Sequence, residues 1–457
     1  MAVRTFKRSL SLPTRKHSTE GMPVELVPPP RQVVIPINQH FGAPNRPVVT
    51  IGDKVTRGEK IADAVSAGPM TVPVHASITG IVKKIEPRAQ SNNSEGLCVI
   101  IEAEQPEAGI PPQDKECFLP PLDPFSCARE EALARIREAG IIGMGGAGFP
   151  AHVKLSPPPD KPISLIIANG AECEPYLTTD EASVSMRPGL LVKGIAIVMK
   201  ITGVKRAVIA IEDNKKDLIP LIERELNLES DNIPGEISIC LCRTRYPQGG
   251  EKMLITALTG RQVPSGGLPM DVGCIVHNVG TLIAIAEAFY DGIPLIDREL
   301  TVSGGACRTP KNIRAPIGTL LCDLQKDFMD IDHDKLAKIV FGGPMMGTAV
   351  PSLDVPIQKN TSGIILMTRN ETAAFQEGPC IRCGNCVRNC PCCLSPVIMN
   401  NSLEADDLDY AVRAGLLDCI ECGSCTYLCP ARIKLVQRFR VGKQRLRMWQ
   451  QTGTAKK

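Results

Sequence analysis

Ten cysteines near the carboxyl end of this chain have the spacing of an iron–sulfur protein. The chain has nineteen cysteines, and ten of them lie between Cys380 and Cys429. They form two runs with the same pattern, Cys-x2-Cys-x2-Cys-x3-Cys-Pro, which begin at Cys380 and at Cys419. Three thiolates on one turn can wrap a 4Fe–4S cubane, and the fourth cysteine of each run ligates the other cluster in two-cluster ferredoxins.

The two runs therefore predict two clusters with exchanged fourth ligands. The predicted ligands of cluster 1 are Cys380, Cys383, Cys386 and Cys429. The predicted ligands of cluster 2 are Cys419, Cys422, Cys425 and Cys390. Zinc would take two Cys-x2-Cys pairs or a mixture with histidine, and neither run contains a histidine. Two further cysteines exceed the eight ligands: either they fill space, or one of them replaces Cys390 if the register shifts. These are Cys392 and Cys393.

A glycine-rich loop, IGMGGAGFP at 142–150, is the second feature that could do chemistry. Glycine lets backbone N–H groups approach a phosphate without a Cβ atom in the way, and Lys154 could neutralise the phosphate charge. The loop is not a Walker A motif, because no GK[ST] follows, and it follows a helix rather than the strand of a Rossmann fingerprint. By itself it predicts either a phosphate site or only a turn. Its glycines are Gly143, Gly145, Gly146 and Gly148.

Strands alternate with helices on either side of this loop. Between Glu130 and Ile296 the pattern predicts three buried strands and two helices. Such alternation is typical of an α/β domain with a parallel sheet, whose ligands lie at the carboxyl ends of the strands. The loops after Ala168 and Cys242 are therefore expected to line a site. The strands are predicted at 162–169, 204–211 and 237–242, and the helices at 218–226 and 250–258.

Composition and charge limit the class of protein. With 457 residues, 43% hydrophobic and 22% charged, the chain is not a disordered polymer. We expect no transmembrane helix, because no run of about 18 apolar residues occurs, and no secretory signal. Both ends are basic, which indicates either solubility or contact with an acidic partner or an anionic membrane surface. We expect no nucleic-acid binding, because the core is acidic and no aromatic-basic surface is evident.

Two β-rich segments flank the α/β pattern. Residues 48–85 alternate β-forming stretches with glycine turns and resemble the biotinyl and lipoyl barrel-sandwich modules. The hairpin at 66–71 holds no lysine to modify, so a swinging-arm function is not expected. Residues 300–322 predict a short β segment punctuated by glycine and proline.

Four motifs carry a family resemblance. They resemble the flavin-binding motifs of the NADH-oxidising flavoprotein subunit of respiratory complex I. With the barrel-sandwich segment before them and the double ferredoxin motif behind, residues 24–445 resemble the C subunit of the Rnf complex, a membrane-bound ferredoxin:NAD oxidoreductase. One departure is SLSLPTRKH, which stands where that family usually has a GGIHP-like segment. The motifs are GMGGAGFPAHVKL at 143–155, ANGAECEPYLTTD at 168–180, YPQGGEKMLITALTGRQVP at 246–264 and VHNVGT at 276–281.

The resemblance implies a multidomain α/β protein. Its expected domains are a barrel-sandwich module at 24–105, an α/β FMN- and NADH-binding domain at 125–296, a β-grasp-like accessory unit at 297–368, and a ferredoxin-like helical module with two clusters at 369–445.

The resemblance also implies FMN on the Gly143 to Gly148 loop. The residues expected near the flavin or its phosphate are Lys154, Asn169, Asn278 and Thr281. The acidic groups expected around the flavin and the nicotinamide nucleotide are Glu172, Glu174 and Glu251, with Glu251 as the expected catalytic residue. Because like charges repel, these carboxylates should face ribose hydroxyls or the flavin ring rather than phosphate. Each could instead be a solvated loop residue.

Such a chain would link two-electron and one-electron chemistry. NADH transfers hydride, a 4Fe–4S cluster moves one electron, and a flavin can bridge the two. We expect a translocase subunit with FMN, two 4Fe–4S clusters and NAD(H) as substrate, bound peripherally at the cytoplasmic face of the bacterial inner membrane. Its expected partners are other Rnf-type membrane subunits and a ferredoxin-like iron–sulfur subunit. Two alternatives stay open: a cobalamin reductase of a bacterial microcompartment, and an iron–sulfur electron-carrier scaffold without flavin activity.

Overall fold

The computed structural model of the chain describes residues 3–64, 68, 70–104, 116, 118–372 and 375–452, without the side chains of 325–327, 451 and 452. Part of the hairpin predicted at 66–71 lies outside these residues.

Short strands build the first part of the chain, as the barrel-sandwich prediction requires. Two antiparallel sheets form there, with strand orders β2-β8-β7-β4 and β3-β5-β6. Alternate residues of β2 and β8, such as Val33 and Ile101, are fully buried in a hydrophobic core shared with the α/β domain. The strands are β1 (Val24–Leu26), β2 (Gln32–Pro36), β3 (Asn45–Pro47), β4 (Lys54–Val55), β5 (Lys60–Ala64), β6 (Val74–His75), β7 (Gly80–Ala89) and β8 (Glu95–Ala103).

The α/β domain has a four-stranded parallel sheet in the order β11-β10-β9-β12. The three predicted strands and both predicted helices are present with shifted ends, while the sequence pattern does not single out β12. The elements are α1 (Arg129–Glu138), α2 (Ala151–Lys154), β9 (Leu165–Gly170), α3 (Thr179–Met186), α4 (Pro188–Thr202), β10 (Arg206–Glu212), α5 (Leu218–Leu228), β11 (Glu236–Cys242), α6 (Glu251–Thr259), β12 (Cys274–Asn278) and α7 (Val279–Tyr290), with 3-10 turns at Ser230–Asn232 and Pro269–Val272.

Because all four strands run in one direction, their carboxyl ends meet at one edge of the sheet. Asn169 near the end of β9 lies beside Ala210 of β10 and beside Asn278 of β12. The sheet therefore brings to one edge segments that are more than a hundred residues apart in the chain.

A mixed six-stranded sheet follows, in the order β1-β14-β13-β17-β15-β16 and with its own hydrophobic core. It occupies the segment predicted as the β-grasp-like unit, and that segment supplies five of its strands. The sixth strand is β1, which pairs in parallel with β14, although the predicted barrel-sandwich boundary begins at residue 24. The elements are β13 (Asp297–Ser303), β14 (Lys311–Pro316), α8 (Leu321–Asp327), β15 (Leu336–Phe341), β16 (Thr348–Val350) and β17 (Gly363–Thr368).

The cysteine-rich end of the chain is a small helical module. Met399, Leu416 and Phe439 are fully buried in its separate core, so the module has packing of its own. Its helices are α9 (Asn385–Arg388), α10 (Pro396–Glu404), α11 (Leu408–Arg413), α12 (Ser424–Tyr427) and α13 (Leu435–Thr452), with a 3-10 turn at Leu416–Asp418.

Residues 3–22, which we name the N-terminal strap, lie against the α/β domain. The strap pairs through its backbone with Cys242 at the end of β11 and with Tyr246 in the loop that follows. Its residue Phe6 is buried against Met253 of α6 and Ile420 of the helical module. The strap therefore contacts both parts of the molecule that carry chemical motifs.

Membrane-spanning potential was assessed by helix length and apolarity. Among the described helices none qualifies alone, whereas α3 and α4, bent by 93°, pass the same test only as a pair.

The close packing of α4 on α7 gives a test of the fold. A Cβ atom on Gly194 would lie 2.0 Å from the backbone oxygen of Leu282, so Gly194→Ala must force the two helices apart. We expect a loss of about 1–3 kcal/mol in the free energy of unfolding, seen as a lower Tm. The matched control is Gly189→Ala in the same helix, where the added Cβ meets only the flexible end of Glu225. Equal Tm values for the two variants would contradict this packing.

Candidate functional site

The glycine loop is held by the first turn of α7. The backbone N–H of Met144 donates to the Thr281 hydroxyl at 3.0 Å. A Cβ atom on Gly145 would lie 3.0 Å from the Asn278 side chain, whereas a Cβ on Gly146 would meet no atom within 4 Å. Gly148 has a φ of +70°, which favours glycine. The loop is thus fixed on its Asn278 side and borders open space at Gly146.

Asn278 joins this loop to the acidic residues predicted for the site. It caps α7 by accepting a hydrogen bond from Gly280, and its amide donates to Asp180 at 2.8 Å. The backbone N–H of Asp180 in turn donates to Glu172 at 3.1 Å. Hydrogen bonds therefore link Asn278, which lies beside Gly145, through Asp180 to Glu172 at the sheet edge.

Glu172 is half-buried, and one of its carboxylate oxygens is buried without a hydrogen-bond partner in the protein. Burial raises the pKa of Glu172 to about 8. Burial therefore favours the protonated form of Glu172, and its unpaired oxygen is a hydrogen-bonding group that the protein leaves unsatisfied.

Asn169 also lies at the sheet edge, but its side chain has protein partners. Its amide donates to the Gly249 oxygen at 2.9 Å, and its oxygen accepts from the backbone N–H of Ala171. Asn169 thereby fixes the loop that leads to Glu251.

Lys154 and Glu251 are bonded to each other. The ammonium group lies 2.6 Å from the Glu251 carboxylate and also donates to the Val276 oxygen at 2.8 Å. The predicted phosphate-neutralising and catalytic side chains are thus in direct contact, and these two bonds use two of the three N–H donors of the Lys154 ammonium group. Both groups are partly exposed, so solvent weakens the pair.

Glu174 has a different environment. Its carboxylate accepts hydrogen bonds from the backbone N–H groups of Met345 and Met346, at 3.0 and 2.8 Å. Burial raises its pKa to about 7. In this structure Glu174 anchors the loop after β15, and its predicted role at the flavin stays a prediction.

The structure adds buried polar residues that the sequence analysis does not identify. Glu212 ends β10, and neither of its carboxylate oxygens has a partner in the protein; His277 near the end of β12 has neither ring nitrogen paired. Burial raises the pKa of Glu212 to about 7 and lowers that of His277 to about 3. The rule that ligands lie at the carboxyl ends of parallel strands could have found both residues.

Lys16 of the N-terminal strap is a buried cation at this site. Its side chain is 2% exposed and donates to the backbone oxygen of Glu172. Its positive charge lowers the pKa values of Glu172, Glu174 and Glu212. Burial raises the same pKa values by more, so the net direction is upward. The segment that departs from the family pattern therefore supplies the charge that offsets these acids.

Lys359 holds the segment that leads into the glycine loop. It is fully buried, and its ammonium donates to the backbone oxygens of Pro73 and Gly140 at 3.0 and 2.6 Å. Burial lowers its pKa to about 7. This one side chain connects the barrel sandwich, the α/β domain and the six-stranded sheet.

The two cysteine runs fold alike. In each run the residue before the second cysteine and the glycine after it have positive φ: 56° and 75° at Arg382 and Gly384, and 56° and 80° at Glu421 and Gly423. A short helix then begins, α9 in the first run and α12 in the second. The same backbone turn thus places three thiols of each run around one loop.

Cysteines of the two runs lie close together in the folded module. Cys390 of the first run lines one cavity together with the second run's Cys419, Cys422 and Cys425. In the other group, burial is the main cause that raises the pKa of Cys386, and the neighbouring thiols of Cys383 and Cys429 raise it as well. In the described part of the chain no three His, Cys, Asp or Glu side chains converge on a single-ion site; the cysteines of the second group surround a cavity.

The two groups differ in exposure. Cys380 and Cys383 are exposed, whereas Cys390, Cys422 and Cys425 are buried. The buried group faces the α/β domain: the Tyr246 hydroxyl donates to the Cys422 backbone oxygen at 2.6 Å. Ile420 packs against both Tyr246 and α6.

Three family models match the chain. They are described as the RnfC barrel sandwich hybrid domain, over residues 4–106, the Nuo51 FMN-binding domain, over 136–287, and the 4Fe-4S dicluster domain, over 373–449. The predicted fold class is thereby confirmed for these three parts, and so are FMN and 4Fe–4S clusters as the cofactors of the domain types present.

Curated relatives match over nearly the full chain, and each is the C subunit of an oxidoreductase complex. That of the proton-translocating ferredoxin:NAD(+) oxidoreductase complex of Clostridium ljungdahlii is 44% identical, covering 96% of this chain and 93% of the relative. That of the Na(+)-translocating ferredoxin:NAD(+) oxidoreductase complex of Acetobacterium woodii is 38% identical, covering 97% of each. That of the ion-translocating oxidoreductase complex of Rhodobacter capsulatus is also 38% identical, covering 95% and 81%.

A solved structure shares the fold. The NAD+-reducing [NiFe]-hydrogenase in the H2-reduced state superposes with a TM-score of 0.50 at 18% identity, over 72% of this chain and 68% of the other.

Removal of Lys16 tests the charge balance of the site. An acid whose pKa is raised by folding makes stability fall as pH rises through the folded-state pKa. Lys16→Met removes the positive charge that lowers these pKa values, so they rise further. The free energy of unfolding of the variant should therefore fall below that of wild type by a margin that widens from about pH 6 to about pH 9 and reaches roughly 3 kcal/mol. The matched control is Lys7→Met, which changes an exposed lysine of the same strap. A deficit that does not vary with pH would contradict the assignment.

Proposed function

This chain belongs to the family of C subunits of ion-translocating ferredoxin:NAD(+) oxidoreductase complexes, the Rnf complexes, and we propose that NAD(H) exchanges electrons with two 4Fe–4S clusters within it, through FMN. The observation that carries this proposal is the direct contact between the two motif-bearing parts, made by Tyr246 and the Cys422 loop. A nucleotide site and a cluster site in contact within one chain are what conversion between hydride and single-electron transfer requires.

The glycine loop and the start of α7 would hold the FMN phosphate. FMN supplies the ability to exchange electrons in pairs or singly. Backbone N–H groups and the positive end of the helix dipole favour an anion there, and the open space at Gly146 admits it without a clash. Thr281 would fix the loop, as its hydrogen bond with Met144 does in this structure, and Asn278 would cap α7 beside the loop.

The carboxyl groups would orient the flavin ring and the nucleotide. Glu172 would donate a hydrogen bond from its protonated, unpaired oxygen, since its pKa is raised to about 8. Glu251 would act as the catalytic residue. Once Lys154 turns to a phosphate, the Glu251 carboxylate would be free to accept hydrogen bonds from the nucleotide's hydroxyl groups. Both roles agree with the expectation that these acids avoid phosphate.

We assign cluster 1 to Cys380, Cys383, Cys386 and Cys429, and cluster 2 to Cys419, Cys422, Cys425 and Cys390. The second set lines one cavity, and the first set contains the exposed cysteines. Cluster 2 would then lie on the α/β side, and cluster 1 would face the partner with which the chain exchanges electrons.

The chain is one member of a multi-subunit complex, and the partners follow from this arrangement. We propose contact with a ferredoxin-like iron–sulfur subunit and with Rnf-type membrane subunits, at the cytoplasmic face of the bacterial inner membrane. The basic C-terminal end gives less support to peripheral membrane attachment than its composition suggests, because four of its cations are paired with carboxylates of this chain. These are Arg438, Arg440, Lys443 and Arg445.

The other two functions are less well supported. The matched relatives named above are C subunits of oxidoreductase complexes, which does not favour a cobalamin reductase. A scaffold without flavin activity differs from the proposed function in lacking a working flavin site, so a test of that site separates the two.

Gly146 tests the flavin site. Gly146→Val places a branched side chain in the open space beside the loop, so the purified protein should lose most of its FMN, and Gly146→Ala should lose less. Both clusters should remain reducible by dithionite, because their module has a separate core. FMN is measured by fluorescence after release. Full FMN content in the valine variant would show that the loop is only a turn and would favour the scaffold.

Three single variants test the exchanged ligand assignment. Cys429→Ala and Cys383→Ala should lose the same cluster and leave identical EPR spectra after reduction, whereas Cys422→Ala should lose the other cluster. The reason is that the fourth ligand comes from the opposite run. If Cys429→Ala instead leaves the spectrum of Cys422→Ala, each run holds its own cluster.

A further inference from the structure

Five thiols, rather than four, line the cavity assigned to cluster 2. Beside the four assigned ligands, the cavity is lined by Cys392. Neither the ferredoxin pattern nor the domain matches assign a role to this cysteine.

The local backbone turns Cys392 inward and its neighbour outward. The N–H of Cys393 donates to the oxygen of Cys390 at 3.0 Å, which closes a tight turn. Cys393 has a φ of +57° and is exposed, whereas Cys392 lines the cavity. The turn therefore presents two thiols of this segment, Cys390 and Cys392, to the same enclosed space.

Packing fixes Cys392 in this place. It contacts a cluster of apolar side chains from three elements, namely Phe6 of the strap, Met253 and Ala257 of α6, and Ile420 of the second cysteine run. Cys392 is thus held beside the four assigned ligands.

We propose that Cys392 is a reserve ligand of cluster 2, able to bind the iron that Cys390 holds. This rests on the proposed function, since it requires a 4Fe–4S cluster in this cavity. In the exchange, the bond from Cys390 Sγ to iron breaks, a bond from Cys392 Sγ to the same iron forms, and the proton of the Cys392 thiol passes to the departing Cys390 thiolate. The oxidation states of iron and sulfur do not change.

The test compares four variants of the full chain with wild type, all purified anaerobically. They are Cys390→Ala, Cys392→Ala, Cys390→Ala with Cys392→Ala, and Cys393→Ala as the control for an exposed cysteine of the same turn. Iron and sulfide are quantified, EPR spectra are recorded after dithionite reduction, and FMN content checks that the α/β domain is folded.

The expected iron content is about eight in wild type and in each single variant, and about four in the double variant. Cys390→Ala should keep both EPR signals, with that of cluster 2 shifted by the new ligand. If Cys390→Ala already falls to about four irons, Cys392 is not a ligand and the inference fails, while the two-cluster assignment stands. If wild type itself holds about four, the proposed function fails as well and the inference with it.

Discussion

The hydrogen bond from the Tyr246 hydroxyl to the Cys422 backbone oxygen, 2.6 Å long and buried, is the interaction on which the account depends. A buried bond of this kind contributes only about 1 kcal/mol net, but leaving either group unpaired costs more. It therefore fixes the position of the cluster 2 loop on the α/β domain. Leu10 and Ile420 pack around it, so the junction is apolar as well as close.

Burial also sets the charges of the acidic side chains at the edge of the parallel sheet. Glu212 is buried, Glu172 and Glu174 are half-buried, and burial raises the pKa of each. A site built only from such acids would repel a phosphate-bearing ligand. The strap places Lys16 among them, and protonation of the acids near neutral pH removes more of the negative charge. The N-terminal strap thus acts on the site electrostatically while its apolar residues seal the junction with the helical module.

Sequence reasoning succeeded where the determinants are local. The spacing of each cysteine run sets one turn, so a ligand pattern can be proposed from sequence alone, and the alternating pattern identified three of the four parallel strands. It failed where tertiary structure brings distant segments together. Lys16 lies more than 150 residues before Glu172, and β1 pairs with β14 across most of the chain. Lys359, a single lysine far from the glycine loop in sequence, gave no pattern to detect.

The site residues show the same difference between what local sequence determines and what tertiary packing determines. Thr281 holds the glycine loop through the Met144 N–H, Asn278 bonds to Asp180, and Lys154 lies with Glu251. Glu174, which lies in the same motif as Glu172, turns to the loop after β15 instead. A motif specifies where the backbone passes, but the direction of each side chain depends on packing that a single sequence does not reveal.

The most direct measurement is anaerobic reduction of the isolated wild-type chain, with FMN and iron quantified in the same sample, by NADH in the absence of every other subunit. Electron transfer within one chain predicts that NADH bleaches the visible absorbance of the clusters as well as that of the flavin. Clusters that stay oxidised with NADH while dithionite reduces them, in a sample with full FMN, would contradict the account.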